Sequence, residues 1–347
     1  MADRLLLLVN TASGTGHPAG LVPRLRAIVE GALGPGRSEL APVADHAAAK
    51  RLARDFVART PGVCAVVVGG GNGTLRAAIE GIASAAEAEG SSPADRAVVA
   101  ALRLGSGNLF ARHFGAPVDP EAALRGILEN LVAGRLTRCV LVRCDVEDAD
   151  GGRRTLHATS LVGFGAFGGV PAALARWHAA HPRLHRALAR LAGIERLTRL
   201  EYAVAFAARA LGDALSRRAR PFRVVGGAPG ATLVAGAIVK LGQAALPLPW
   251  RIRPEDPAMA LALLDRLPVP ALLRGLLRPR RLARRARVST LSPGECVRLE
   301  RTGRAPVELF LDEDPESFGR ALEIRLADTL PVAPGPDYRW PALPEVA

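Results

Sequence analysis

Aromatic residues are scarce, 4% of 347 positions, so the chain has few platforms on which bases could stack. A net charge of +13 fits nucleic acid, but no reader motif accompanies it, and no nucleic-acid partner is expected. Lysine is rarer still: Lys50 and Lys240 are the only two, and arginine carries almost all the positive charge. That charge is either spread over a solvated surface or gathered into a patch that attracts anionic lipid. No apolar run reaches the roughly 18 residues of a membrane span, and Leu5 to Val9 is too short for a signal peptide. The chain reads as cytoplasmic, with membrane contact confined to its surface. Cys64, Cys139, Cys144 and Cys296 show neither metal-ligand spacing nor the density of a disulfide framework, so reduced thiols are expected. Cys64 falls inside an apolar run, where it serves as a small hydrophobe.

What is present is the composition of a folded protein. Apolar residues make up 49% and charged residues 23%, which excludes wholesale disorder, and the length favours two domains. Leu5 to Val9 reads as a buried strand, followed by a turn and a helical pattern through Leu21, Leu25, Ile28 and Val29. A helix over 47–58, a strand over 63–68, a helix over 75–88, a strand over 97–104 and a helix starting at Leu109 continue the alternation. This predicts an α/β domain with a parallel sheet over residues 1–136. Beyond it, strands over 139–146 and 155–162 form a hairpin around Asp148-Ala149-Asp150-Gly151-Gly152. Helices over 170–192 and 197–215 follow, and further strands are expected at 221–225, 232–240, 295–301, 307–311 and 321–326. A mostly β, sandwich-like second domain over 137–330 accounts for these, with a Pro-rich tail over 331–347 that either returns to the first domain or ends loose.

The chemistry concentrates in glycine-rich turns. Gly69-Gly70-Gly71-Asn72-Gly73-Thr74 follows the apolar strand directly, and Gly105-Ser106-Gly107-Asn108 ends the next one. A third turn, Asn10 to Gly16, closes the first strand and contains Ser13 and Gly14. Glycines at the carboxyl end of a strand let backbone N–H groups approach an anion, and a following helix adds its positive end. Nucleotide phosphate is the leading ligand. A tight strand-to-helix turn uses the same residues as Asn10 to Gly16, and Thr74 serves equally as a cap for the 75–88 helix.

The ordered set Asn10-x-x-Ser13-Gly14, Gly70-Gly71-Asn72-Gly73-Thr74 with Gly81, and Gly105-Ser106-Gly107-Asn108 with Ala111-Arg112 resembles the diacylglycerol, sphingosine and ceramide kinase superfamily. The resemblance extends through Gly163-Phe164-Gly165-Ala166 to Asp312. It implies an α/β domain and a β-sandwich enclosing a cleft, ATP with magnesium at the glycine loops, and phosphorylation of a lipid hydroxyl. It also implies that Asp312 is the catalytic base, because Asp312-Glu313-Asp314 resembles the family's Asp-Gly-Glu turn; an acidic hairpin tip is the alternative. Asn72 stands where the family has Asp, Ala77 where Glu is common, Leu109 where Asp often follows, and Thr11 in place of Pro. These departures motivate a second reading, a catalytically weakened relative that binds nucleotide or lipid and regulates a partner. A nicotinamide-nucleotide kinase is a third. Ser106 brings the second loop nearer to sphingosine kinases, which tilts the expected acceptor from diacylglycerol toward ceramide or a sphingoid base.

Two further patterns stand apart. His178, His181 and His185 fall at helical spacing, but Pro182 interrupts the helix and no carboxylate joins the set, which argues against a metal role. Seven arginines between Arg274 and Arg287, interleaved with leucines, form either a basic amphipathic element that docks peripherally on an anionic membrane or a solvated helix and loop broken at Pro279.

Overall fold

The computed structural model describes residues 4–13, 20–105, 107–192, 194–215, 222–225, 233–240, 252–265, 270, 285–303, 305–312 and 314–340. Two compact units form, residues 1–139 with 328–347, and residues 140–327.

In the first unit, β1 (Leu5–Asn10), β2 (Ser38–Val43), β3 (Cys64–Gly70) and β4 (Ala97–Arg103) alternate with α1 (Leu21–Leu33), α2 (His46–Arg59) and α3 (Asn72–Ala88). Two helices, α4 (Leu109–His113) and α5 (Pro120–Val132), follow. The strands are parallel in the order β2-β1-β3-β4, with Leu7 opposite Leu40 and Val67, and Val66 opposite Val99. Helices cover such a sheet on both faces, so its central strands are apolar throughout rather than alternating. Leu5 to Val9 and Cys64 to Val68 are all buried. Burial pushes the Cys64 thiol up to about 11 against the opposing pull of Arg96 and Arg4, so it stays protonated. The described cysteines are all free thiols.

Helix α3 packs on α2 through Gly81, where a Cβ would lie 2.3 Å from the Lys50 carbonyl oxygen. Helix α5 begins at Pro120 behind Asp119, whose carboxylate accepts from the N–H groups of Glu121 and Ala122.

The second unit contains most of β5 (Thr137–Glu147), which begins in the first, then β6 (Arg153–Ala158), β7 (Leu161–Gly165), α6 (Val170–Ala180), α7 (Pro182–Ala192) and α8 (Ile194–Leu215). It continues with β8 (Phe222–Val224), β9 (Leu233–Val239), β10 (Met259–Asp265), β11 (Arg287–Leu291), β12 (Cys296–Arg301), β13 (Val307–Leu311) and β14 (Asp314–Phe318). Strand β15 (Ala321–Val332) starts in this unit and ends in the first, where Val332 pairs in parallel with Val99. The second-unit pairings are antiparallel, among them β5–β6, β7–β9, β7–β13, β9–β10 and β12–β15. Val142, Phe164, Ile238, Leu261, Leu299, Leu309 and Phe318 lie in one buried cluster.

Several elements differ from the sequence expectation. The strand expected over 155–162 is two strands, because Thr159 and Ser160 turn the chain between β6 and β7. The helix expected over 170–192 is also two, broken at Pro182, which cannot continue the α6 hydrogen-bond ladder. The 331–340 segment is tied to the first unit: Gly335 N–H donates to Phe114 O, and the Asn130 amide donates to Pro334 O. No helix among the described residues is long and apolar enough to cross a membrane. Of the basic element, Arg274 to Arg284 lies outside the described residues.

Candidate active site

In a sheet of order β2-β1-β3-β4 the connections reverse between β1 and β3, and ligands bind beyond the carboxyl ends of the strands at such a switch point. All three glycine-rich turns lie at that end of the sheet. The Asn10 amide nitrogen donates to Thr74 Oγ1 at 2.8 Å, and its oxygen accepts from Ala12 N–H at 2.9 Å. The Ser13 hydroxyl shares its one proton between Asn10 O at 2.9 Å and Leu104 O at 3.0 Å, so with the Asn10–Thr74 bond the first turn reaches both others.

The second and third turns meet through their backbones. A Cβ on Gly105 would lie 2.3 Å from Gly71 Cα, one on Gly70 would lie 2.8 Å from Thr74 Oγ1, and one on Gly69 would lie 2.8 Å from Leu104 Cδ1. At Gly105 the opposing atoms are backbone, so glycine is required there for close approach, whereas the Leu104 side chain opposite Gly69 could shift. Asn108 adopts φ 52°, a left-handed conformation that asparagine tolerates better than most residues. Its side chain closes the third turn by accepting from Gly105 N–H at 2.9 Å and donating to Gly105 O.

Helix α3 starts at Asn72 rather than at residue 75, so Asn72, Gly73 and Thr74 form its first turn. No side chain caps it, and no acidic residue occupies that turn. The role of Thr74 is corrected accordingly: its hydroxyl oxygen accepts from Asn10 instead of capping the helix. The N–H groups of a first helical turn have no intrahelical acceptor and face an anion favourably. Asn72 is 4% exposed, and among the described residues its amide nitrogen has no hydrogen-bond partner. Gly107 in the third turn is half-buried, while Gly14 and Ser106 lie outside the described residues.

Beneath this turn sits a charge cluster that sequence reasoning missed. Glu80 of α3, two turns past Asn72, pairs with Lys50 at 3.0 Å, Arg76 at 3.4 Å and His46 at 3.5 Å. Burial alone would raise its pKa, but the His46 hydrogen bond and the Arg76 and Lys50 charges outweigh it and bring the carboxyl down to about 2. The i, i+4 spacing of Arg76 and Glu80 was the available signal. Ala77, in the place of a common family glutamate, is fully buried.

Asp312 belongs to the second unit. It follows β13 with φ 48°, and Leu311 before it pairs with Asp314 of β14. Its carboxylate is 1% exposed and accepts five hydrogen bonds. The Thr159 N–H and hydroxyl reach Oδ2 at 2.6 and 2.9 Å, while the Ser160 N–H and hydroxyl and the Leu161 N–H reach Oδ1 at 3.0, 2.8 and 3.0 Å. Ser160 O accepts from the N–H of Lys240, a fully buried lysine whose ammonium donates to the carbonyls of Asp256 and Ala258. Two polar residues interrupting an apolar stretch at 159–160 were the sequence signal for this network. Glu313 lies outside the described residues. The turn expected at Gly163 to Ala166 is instead the end of strand β7, where a Cβ on Gly163 would lie 2.1 Å from the Phe310 ring and Gly165 has φ 69°.

A parallel α/β sheet with three interlocked, side-chain-poor turns at its switch point has the layout of a phosphate-binding α/β domain. Residues 4–139 match the diacylglycerol kinase catalytic domain family. A crystal structure from Bacillus anthracis str. Sterne aligns over 96% of this chain and 98% of its own, at 13% identity and a TM-score of 0.63. A diacylglycerol kinase from the same organism aligns over 96% and 97%, at 12% identity and 0.59. The yeast NADH kinase complexed with NADH aligns over 95% of this chain and 82% of its own, at 12% identity and 0.51. At these identities the likeness is one of fold. No curated protein matches the chain by sequence.

Proposed function

We propose that the protein is an ATP-dependent kinase that phosphorylates the hydroxyl of a two-chain lipid. The observation carrying this reading is the buried, unpartnered Asn72 amide at the start of an uncapped helix, inside a cradle where a Cβ on Gly105 or Gly70 would intrude. The donors are neutral amides, hydroxyls and backbone N–H groups, which suit phosphate oxygens. ATP supplies an electrophilic phosphoryl group when bound. In this reading Gly70 to Thr74 and Gly105 to Asn108 hold its phosphates, Ser13 and Asn10 brace those turns, and Gly14 and Ser106 complete them. The turns contain no carboxylate, so magnesium fits here only as a companion of the phosphates.

Asp312 is assigned to the acceptor side as the group that takes the hydroxyl proton. Both of its oxygens are already engaged, so this role requires at least one of the five donors to be displaced. The acceptor lipid is ceramide, a sphingoid base or diacylglycerol; the preference for the first two rests on Ser106 alone. Peripheral docking on an anionic membrane through Arg274 to Arg287 belongs to the same reading.

The likeness to the yeast NADH kinase supports a second reading, in which a nicotinamide dinucleotide is the acceptor. Incubation with labelled ATP and magnesium, offering ceramide, sphingosine, diacylglycerol, a polyprenol and NADH in parallel, separates these readings. Label in an organic-phase lipid supports the proposal, and label on NADH favours the second reading. ATP and lipid binding with no labelled product leaves the regulator.

A further inference from the structure

Helices α6, α7 and α8 bring together three side chains that the proposed kinase chemistry does not use. His178 lies in the last turn of α6, His185 in the first turns of α7 and Glu201 in α8. His178 Nε2 is 3.1 Å from Glu201 Oε2, and His185 Nδ1 is 3.1 Å from Glu201 Oε1. One ligand atom from each residue lies within 4.8 Å of the other two. The sequence expectation that no carboxylate joins these histidines is therefore corrected. The break at Pro182 turns α7 so that His185 faces His178, while Glu201 arrives from a helix 16 residues further on. His181 is exposed and lies outside the set.

We propose that His178, His185 and Glu201 form a binding site for a transition-metal dication of the zinc type, separate from any magnesium that accompanies nucleotide. A tetrahedral zinc ion with ligands at about 2.0–2.1 Å separates those ligands by about 3.3 Å; the two 3.1 Å contacts are close to that edge but fall on different carboxylate oxygens, so a small rotation of the Glu201 carboxylate is needed to bring one oxygen to both imidazoles. Two imidazoles and one carboxylate favour zinc, cobalt, nickel or copper over magnesium and calcium, which prefer all-oxygen shells. The imidazole ring centroids are 4.0 Å apart, which brings both rings within reach of one cation. The Glu201 carboxylate is 10% exposed, whereas His178 and His185 are 36% and 21% exposed, leaving an open side for a fourth, exchangeable ligand. With one ligand per helix, the ion would clamp α6, α7 and α8 together.

Trp177 provides a local reporter, its ring centroid 5.3 Å from that of His178 and 6.2 Å from that of His185. Untagged, chelator-stripped protein is titrated with zinc against a chromophoric competitor. Cobalt is titrated in parallel, following visible absorption and quenching of Trp177 fluorescence. One zinc per chain is expected, with an intense tetrahedral cobalt band and no response to magnesium. His185→Gln should weaken zinc binding roughly a hundredfold. Glu201→Gln keeps hydrogen-bonding capacity toward both imidazoles and so tests the ligand role without removing the contacts; about tenfold weakening is expected. Absence of stoichiometric zinc binding would overturn the proposal. So would zinc affinity unchanged in both variants, or equal displacement by magnesium. Circular dichroism of each variant shows whether its helices are intact. Loss of kinase activity plays no part in the readout, so failure of this proposal is distinguishable from failure of the kinase reading.

Discussion

Replacing Asp312 with Asn should destabilise the second unit by about 3 kcal/mol, whatever it does to catalysis. Hydrogen bonds to a charged acceptor contribute about 1.5–3 kcal/mol each, and a buried donor left unsatisfied costs about 1–3 kcal/mol. The asparagine oxygen can replace Oδ1 and keep the Ser160 and Leu161 donors, but its NH2 then faces the Thr159 N–H and hydroxyl that now meet Oδ2. The hydroxyl can rotate to accept. The N–H cannot, so one strong bond is lost and one buried donor is stranded. Backbone strain does not confuse the result, because asparagine tolerates the φ of 48° as well as aspartate does. Urea denaturation followed by circular dichroism gives the difference, and activity is then compared at a temperature where the variant remains folded. Phosphoryl transfer should fall while ATP binding persists. A variant within about 0.5 kcal/mol of wild type would refute the claim that five donors hold this carboxylate.

The other predictions concern the first unit. Gly105→Ala places a methyl group 2.3 Å from Gly71 Cα, and should abolish detectable ATP binding by calorimetry; wild-type affinity would show that the two turns need not touch. Asn72→Ala removes the unpartnered amide, and should weaken ATP binding by about 1 kcal/mol, roughly fivefold, with little change in melting temperature. Glu80→Gln should cost about 3 kcal/mol at pH 7, from a carboxyl lowered from 4.5 to about 2. A depressed folded-state pKa stabilises above the unfolded value and ceases to do so as pH falls through the folded one. The difference between Glu80→Gln and wild type should therefore be constant above about pH 5.5 and narrow steadily below pH 4.5. A difference independent of pH would remove the cluster from the account.

The parallel sheet was legible because β1 and β3 are buried on both faces, so their sequences are unbroken apolar runs. Strand β2 was not, because Ser38–Val43 lies at the sheet edge with mostly half-buried side chains and a proline. Helix α5 carries its start signal in Asp119-Pro120, a capping pattern rather than a periodic one. At the site, spacing located all three turns. Their contacts, Asn10 to Thr74, Ser13 to Leu104 and Gly71 to Gly105, depend on strand register and could be seen only once β1, β3 and β4 were aligned. The same holds for Glu201, whose sequence gives no hint of two histidines from other helices. Asp312 was located by its motif, but its five donors come from residues some 150 positions earlier.

Backbone amide shifts during a titration with magnesium and ATP test the central claim, that the glycine turns hold nucleotide phosphate. The account predicts the largest perturbations at Gly71, Asn72, Gly73 and Gly105, together with the Asn72 side-chain amide, and their loss in Gly105→Ala. Saturable ATP binding that leaves these amides unmoved and shifts others instead would contradict it.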